Sequence, residues 1–176
     1  NSTSEDGFRF DATMRGGKLV VAVDVTDSEL YTPTSAGHLS QDAIGMIIDA
    51  YPLEESSQNV MDQEKVFDRW FPLLLTPDKN EVTELAYQDL IGKHLTGALI
   101  RTEKGYSAEF MIPIKAIMKR LTDGDGTFRL NIVMNDFDED GSSHKTMSWT
   151  PVWGEANSPL GSGTFSFDAM DLEEEQ

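Results

Sequence analysis

The sequence of 176 residues contains no cysteine, which excludes disulfide bonds, thiol nucleophiles and thiolate metal sites together. It also lacks any run of about 18 consecutive apolar residues, so no membrane-spanning helix is predicted. A chain of this length can bury enough apolar surface to fold as one domain without covalent cross-links.

Positive charge is scarce. The chain has 14 lysines and arginines against 31 acidic residues, a formal net charge of −17. Such a field repels phosphate backbones and anionic lipids, so neither nucleic acid nor membrane insertion is expected. Cations and neutral ligands remain open as partners. An acidic surface that only keeps the protein soluble explains the same composition.

Most of the chain has the two-residue alternation of apolar and polar side chains that predicts β-strands. Pro72 lies inside an apolar run and predicts an edge strand or a bulged strand there. Apolar residues at helical spacing after Pro113 predict one short helix. Turn signals divide the rest into about eight to ten strands, which favours an all-β, antiparallel β-sandwich or jelly roll. We expect one domain over residues 8–170, a disordered or linker-like start at 1–7 and an acidic tail at 171–176.

The segment from Gly105 to Pro113 has a strong strand pattern. Alternation places Tyr106 and Ile112 on one face and Glu109 on the other. Because the strand looks largely buried, we expect Glu109 to have a polar partner.

An acidic turn, "NDFDEDG", follows a predicted strand near residue 135. Asp136, Asp138 and Asp140 match the first half of an EF-hand loop, but its twelfth position falls on Met147 instead of Glu. An EF-hand is therefore disfavoured. Alternate aspartates in a tight loop can still converge on a structural calcium ion, which makes these three residues the predicted metal ligands. The alternative is a solvated hairpin turn.

Catalytic constellations are not apparent. The serine-hydrolase pattern Gly-x-Ser-x-Gly is absent, and the three histidines, His38, His94 and His144, form no metal-binding pair. Pairs of acids are common in so acidic a chain and have little specificity. The sequence therefore predicts no enzyme, although a parent protein could be one.

Several blocks agree in order and spacing with one known family. They are "VAVDVTDSELY", "SQDAIGMIIDA", "GYSAEFMIPIKAI", "LNIVMNDFDEDG", "MSWTPVWG" and "LGSGTFSF". Together they resemble a family 9 carbohydrate-binding module, of the DOMON-like β-sandwich group. The resemblance implies a non-catalytic module that binds an oligo- or polysaccharide. Its parent would be a larger secreted or periplasmic protein that degrades polysaccharides, or a cell-surface protein, and other domains of that parent would be its partners.

The same resemblance indicates where a sugar would bind. Family members with a sugar site have a pattern similar to Trp-x-x-Asp-x-x-Glu; here Asp42 is kept, while Leu39 and Gly45 replace the Trp and the Glu. Trp149 is expected to be mainly a core residue, with a sugar contact as its alternative, whereas Trp153 lies in a predicted loop. The candidate carbohydrate contacts are Trp153, Asn157, Trp149, Asp42 and Tyr31.

Two other functions stay open. The two replacements at Leu39 and Gly45 favour a sandwich that has lost its sugar site and acts as a spacer or protein-interaction domain. Haem binding, known among DOMON-like relatives, is less favoured, because the methionines of the chain are explained as fillers of core gaps.

Overall fold

A computed structural model of the chain describes residues 6–33, 41–49, 70–74, 96–118, 127–137, 144–150 and 163–166. These segments contain nine strands and one short helix, as the alternation predicted. The strands are β1 (Gly7–Arg15), β2 (Lys18–Thr26), β3 (Ala43–Asp49), β4 (Trp70–Leu74), β5 (Thr96–Thr102), β6 (Gly105–Pro113), β7 (Thr127–Phe137), β8 (His144–Ser148) and β9 (Gly163–Ser166), and the helix α1 is Ile114–Met118.

The strands form two antiparallel sheets. The four-stranded sheet has the order β1-β2-β6-β5, and the five-stranded sheet has the order β4-β3-β7-β8, with β9 also paired to β7. Among the described strands, β4 lies at the edge of its sheet, which confirms the first of the two alternatives predicted from Pro72. β8 and β9 lie end to end along the same side of β7: β8 pairs with 133–137 and β9 with 127–130. This leaves a junction between β8 and β9.

The core lies between the two sheets and follows from the alternation. Along β2, every second side chain is buried, while Ala22 and Asp24 between them are exposed. β3 and β7 contribute matching series from the other sheet. The all-β sandwich is therefore confirmed. The central buried residues are Val21, Val23, Val25, Ile44, Met46, Ile48, Leu130, Ile132 and Met134.

The outer face of the four-stranded sheet is open, and this corrects one expectation. Tyr106 and Ile112 are buried as predicted, but Glu109 is exposed. Its cross-strand neighbours are Ala22 and Ala98, whose small side chains leave the carboxylate in contact with solvent. Glu109 therefore needs no protein partner.

The predicted start and tail of the chain lie mostly outside the described residues, which exclude 1–5 and 167–176. Among the described residues, no helix has the length and apolar character needed to span a membrane.

Candidate functional site

Three buried aspartates meet at one end of the sandwich. Asp27, Asp42 and Asp136, here called the acidic cluster, are 4%, 0% and 9% exposed. Each contributes a carboxylate oxygen to a group in which all the oxygens lie within 4.8 Å of one another. Carboxylates are rarely buried without compensation, so this group needs an explanation.

The cluster arises because each aspartate continues the inward face of a core strand. Side chains on one face of a strand recur every two residues. Asp27 and Asp136 stand two residues after the last buried apolar residue of their series, and Asp42 stands two residues before the first one of its series. The ends of β2 and β7 and the start of β3 lie at the same end of the sandwich, so the aspartates converge. The series are Val21-Val23-Val25-Asp27, Asp42-Ile44-Met46-Ile48 and Leu130-Ile132-Met134-Asp136.

Asp42 links three parts of the chain. Its Oδ1 accepts a hydrogen bond from the backbone N–H of Phe137 at 2.8 Å. Its Oδ2 accepts one from the backbone N–H of Tyr31, and its own N–H donates to the Tyr31 carbonyl at 3.0 Å. These bonds fix the carboxylate of Asp42 in the cluster.

Asp27 is fixed less completely. Its N–H donates to the Lys104 carbonyl at 2.9 Å, and its Oδ1 accepts from the N–H of Glu29 at 3.0 Å. Within the described part of the chain, its buried Oδ2 and the buried hydroxyl of Tyr106 have no hydrogen-bond partner. A buried polar atom without a partner costs about 1–3 kcal/mol, a cost that a ligand bound at the cluster would remove.

The electrostatics of the cluster disfavour the simultaneous ionisation of Asp27, Asp42 and Asp136. Burial is the main effect that raises the pKa of Asp42 to about 7, with a smaller contribution from the charges of Asp27 and Asp136, and against the backbone hydrogen bonds from Phe137 and Tyr31. Burial also raises the pKa of Asp27. The carboxyls of Asp42 and Asp27 therefore retain protons more readily than ordinary aspartates, or require a cation.

Tyr106 responds to the same field. Burial raises the pKa of its phenol well above the ordinary value, and the charges of Asp42, Asp27 and Asp136 add to this effect. Its hydroxyl therefore stays protonated and neutral at physiological pH.

The geometry suits a hard divalent cation. Calcium takes oxygen ligands at about 2.3–2.6 Å, so two ligands of one ion can be up to about 5 Å apart. The 4.8 Å limit on the oxygens of the cluster satisfies this condition. Oxygen ligands alone favour calcium over transition metals, which prefer nitrogen or sulfur.

The predicted metal ligands are only partly present in the cluster. Asp136 belongs to it, whereas Asp138 and Asp140 lie outside the described residues. Asp27 and Asp42 were missing from the predicted ligand set. The two-residue alternation could have identified them if it had been extended beyond the strands, to Asp27 after the end of β2 and to Asp42 before the start of β3.

The predicted sugar contacts are spread over the fold. Asp42 is fully buried, and its carboxylate faces the cluster, not solvent. Tyr31 is half-buried beside it, with its ring centroid 6.4 Å from that of Phe137. Trp153 and Asn157 lie outside the described residues.

Trp149 is the one predicted sugar contact that presents a large apolar surface to solvent among the described residues. It is 45% exposed, so its expected role as mainly a core residue was wrong. It follows β8 directly and leaves the sheet at the junction with β9, and this position at the side of the sandwich explains its exposure.

A two-sheet antiparallel sandwich with a buried acidic cluster at one end defines the class of the protein as a β-sandwich module. The family model described as "Carbohydrate family 9 binding domain-like" matches residues 8–167. The chain belongs to this family.

Solved structures support the same fold. A family 9 carbohydrate-binding module from Caldicellulosiruptor kristjanssonii in complex with cellotriose is 16% identical, with a TM-score of 0.61, over 94% of this chain and 76% of that one. A module of this family from the same organism in complex with glucose is 14% identical, with a TM-score of 0.61, over 94% and 78%. A candidate carbohydrate-binding protein from Bacteroides uniformis is 12% identical, with a TM-score of 0.56, over 93% and 79%. No curated protein matches the chain significantly.

Proposed function

We propose that the chain is a non-catalytic carbohydrate-binding module of a larger secreted, periplasmic or cell-surface protein, such as one that degrades polysaccharides. The observation that carries this proposal is the family match over residues 8–167. Similar modules occur in complex with cellotriose and with glucose, which supports a neutral saccharide as the ligand. The net charge of −17 agrees, because it disfavours polyanionic glycans.

The exposed indole of Trp149 is the chemical feature that fits such a ligand. A pyranose ring has an apolar face of C–H groups that packs on an aromatic ring, and hydroxyls at its edge that need hydrogen-bonding partners. Trp153 and Asn157 remain proposed contacts on the strength of the sequence.

A non-catalytic role is supported by the burial of the acidic cluster. Glycoside hydrolysis requires two carboxyl groups that flank the scissile bond of a bound substrate. The carboxyls of Asp27, Asp42 and Asp136 are at most 9% exposed, so they face the interior of the domain. Their arrangement fits an ion better than a glycan.

We further propose that this cluster binds a structural calcium ion, with Asp27, Asp42 and Asp136 as ligands. The unpartnered Oδ2 of Asp27 supports the assignment. The ion would neutralise the charges of the three carboxylates. It would also join the end of β2 to the start of β3 and to the end of β7. Its contribution is to the stability of the end of the sandwich, because none of the three aspartates is accessible to a glycan.

Affinity gel electrophoresis tests the main proposal. The protein is run through native gels that contain hydroxyethyl cellulose, xylan, β-glucan, mannan or no polysaccharide, with an acidic protein of similar size as a control. Retardation by at least one polysaccharide, without release of reducing sugar during incubation, is the expected result. Unchanged migration in every gel would contradict it.

A spacer or protein-interaction domain is the second candidate. Gly45 favours it, because this buried position in β3 has no side chain where the family pattern has a glutamate. The two candidates separate in the same gels, since a spacer is not retarded by any polysaccharide.

A further inference from the structure

Two large apolar side chains are exposed within the described part of the chain, and they differ in their surroundings. Ile100 is 56% exposed and Trp149 is 45% exposed. Ile100 stands on the open outer face of the four-stranded sheet, opposite Ser107. Trp149 lies at the side of the sandwich, where the two sheets approach each other.

The backbone at Trp149 is held in place. Its N–H donates to the Ile132 carbonyl at 3.0 Å. The next residue, Thr150, donates its N–H to Asn131 Oδ1 at 3.1 Å, and its carbonyl accepts from Asn131 Nδ2 at 3.2 Å. Asn131 is itself fully buried. The position of the indole is therefore fixed before any ligand binds, which lowers the entropic cost of binding.

The indole packs against side chains from both sheets. The ring of Phe10 on β1 meets it edge-on, with centroids 4.9 Å apart and an interplanar angle of 79°. The ring of Phe165 on β9 lies 6.1 Å away at 47°. These contacts hold the ring while nearly half of the residue's surface remains exposed.

An open cleft of about 580 Å³ lies beside the ring. This volume falls within the range typical of small-molecule sites. Its wall combines apolar and polar surface in nearly equal parts, and Arg9 is the one charged residue among the described residues that line it. The residues that line it are Phe8, Arg9, Phe10, Met147, Ser148 and Trp149.

The guanidinium of Arg9 is held in one orientation by hydrogen bonds, although the side chain is exposed. Its Nε and Nη2 donate to Asp24 Oδ2 at 3.1 and 2.9 Å, and Ser107 donates to the other oxygen of Asp24 at 2.7 Å. The hydrogen bonds from Ser107 and Arg9 lower the pKa of Asp24, so it stays ionised and keeps its hold on Arg9. The remaining terminal nitrogen of Arg9, Nη1, takes no part in these two bonds.

We propose that this cleft is a carbohydrate subsite on the side of the sandwich, in which Trp149 packs on the face of a neutral pyranose and Arg9 donates to its hydroxyls. This proposal rests on the proposed carbohydrate-binding function, and it locates the bound sugar between β1 and the end of β8. It differs from the sequence-based site by including β1, whose residues 8–10 were not among the candidates. It also supplies an aromatic surface in a chain whose position 39 lacks the tryptophan of the family pattern.

NMR of the intact, unmutated protein is the first test. Cellotriose, xylotriose and mannotriose are titrated into ¹⁵N-labelled protein, and the three tryptophan indole N–H signals are followed. The Trp149 signal is assigned from its loss in Trp149→Phe. We expect the Trp149 indole and the backbone amides of residues 8–10 to shift together with saturation.

Matched variants give the second test, by calorimetric titration with whichever trisaccharide binds. Trp149→Ala should bind at least about tenfold more weakly, the change expected when an aromatic contact surface is lost. Ile100→Ala removes a comparable exposed apolar side chain on β5, at the edge of the four-stranded sheet opposite to β1 and about 14 Å from that strand. This variant should bind within twofold of the unmutated protein. Arg9→Gln should weaken binding several-fold, whereas Arg15→Gln, further along β1, should not.

The outcomes separate the two claims. Binding by the unmutated protein with a shifted Trp149 indole and a weakened Trp149→Ala supports the subsite. Binding with an unshifted Trp149 indole and full affinity in Trp149→Ala overturns the subsite and leaves the carbohydrate function in place. Absence of binding to every trisaccharide and polysaccharide overturns both. Because the NMR titration needs no substitution at Trp149 to observe binding, misfolding of Trp149→Ala would not prevent a decision.

Discussion

A Cβ at Gly163 would lie 2.4 Å from Cζ3 of Trp149 and 2.5 Å from its Cη2. The indole ring thus occupies the space that any larger residue at the start of β9 would need. Ile132 holds the backbone of Trp149, Asn131 holds that of Thr150, and the rings of Phe10 and Phe165 pack against the indole, so the ring has little freedom to move aside. The observed position of the Trp149 indole therefore requires a glycine at position 163.

Gly163→Ala should therefore displace the indole. Forcing a methyl group into a packed contact costs about 1–3 kcal/mol, so we expect a lower free energy of unfolding by urea. Gly7→Ala is the matched control, because a Cβ there meets nothing within 4 Å. If Trp149 is the sugar platform, Gly163→Ala also weakens trisaccharide binding and Gly7→Ala does not. Equal stability of the two variants would contradict the close contact.

Asp27→Asn should have opposite effects on stability with and without calcium. In EDTA it removes one of three crowded negative charges and places a donor where Oδ2 has no partner, so the melting temperature should rise. In millimolar calcium the variant should lose most of the calcium-induced rise that the unmutated protein shows. Differential scanning calorimetry measures both.

Asp11→Asn is the control for the calcium experiment. Asp11 is exposed on β1, so its substitution should leave the calcium effect intact. An unmutated protein whose melting temperature is the same in EDTA and in calcium would contradict a structural ion at the cluster.

The pH dependence of stability should also reveal the cluster. The pKa of Asp42 is raised from 3.8 to about 7, so between these values the folded protein holds a proton that the unfolded chain has released. Stability in EDTA should consequently fall as the pH rises from about 4 to about 7, and then level off. In saturating calcium the fall should disappear, because the ion replaces the proton. Urea unfolding at four pH values checks this, and a stability in EDTA that increases over this interval would contradict the raised pKa.

Gly105→Ala should disturb the acidic cluster, because Gly105 packs against the backbone of Val25 and Asp27. Gly105 has a φ of +140°, and a Cβ there would lie 2.4 Å from the Val25 carbonyl oxygen and 2.9 Å from the Asp27 nitrogen. Both the backbone conformation and the space therefore exclude a side chain. We expect a loss of at least about 2 kcal/mol of stability, measured by urea unfolding, and weaker calcium binding, measured by calorimetry. Stability within error of the unmutated protein would contradict the close approach of β6 to the end of β2.

Much of the fold could be predicted because alternation reports burial directly. The series along β2, β3 and β7 were visible as apolar runs, and Pro72 restricted its segment to an edge strand or a bulged strand. Glu109 shows the limit: alternation separated its face from that of Tyr106, but it could not show that the far face is open to solvent. That depends on which strands lie beside β6, a property of the tertiary fold.

The acidic cluster was predictable only in part for the same reason. The sequence drew attention to Asp136 because it stands in a dense acidic turn. Asp27 and Asp42 are 15 residues apart in sequence, and more than 90 residues separate each of them from Asp136. Their convergence follows from antiparallel pairing of β3 with β7 and from the packing of the two sheets. No local pattern contains that information.

Trp149 was misjudged because a tryptophan next to an alternating strand is usually buried. Its exposure results from the end of β8 at the junction with β9, and from Gly163, which lets the ring lie across the side of the sandwich. Both features involve pairing with β7, which the sequence does not specify locally.

Isothermal titration of the intact protein with cellotriose, xylotriose, mannotriose and the corresponding soluble polysaccharides shows whether the protein binds carbohydrate at all. We expect saturable, salt-insensitive binding to at least one neutral glycan, because stacking and hydrogen bonds to hydroxyls involve no ion release. If the protein is shown to be folded and none of these ligands gives measurable heat of binding, the proposed carbohydrate-binding function is contradicted.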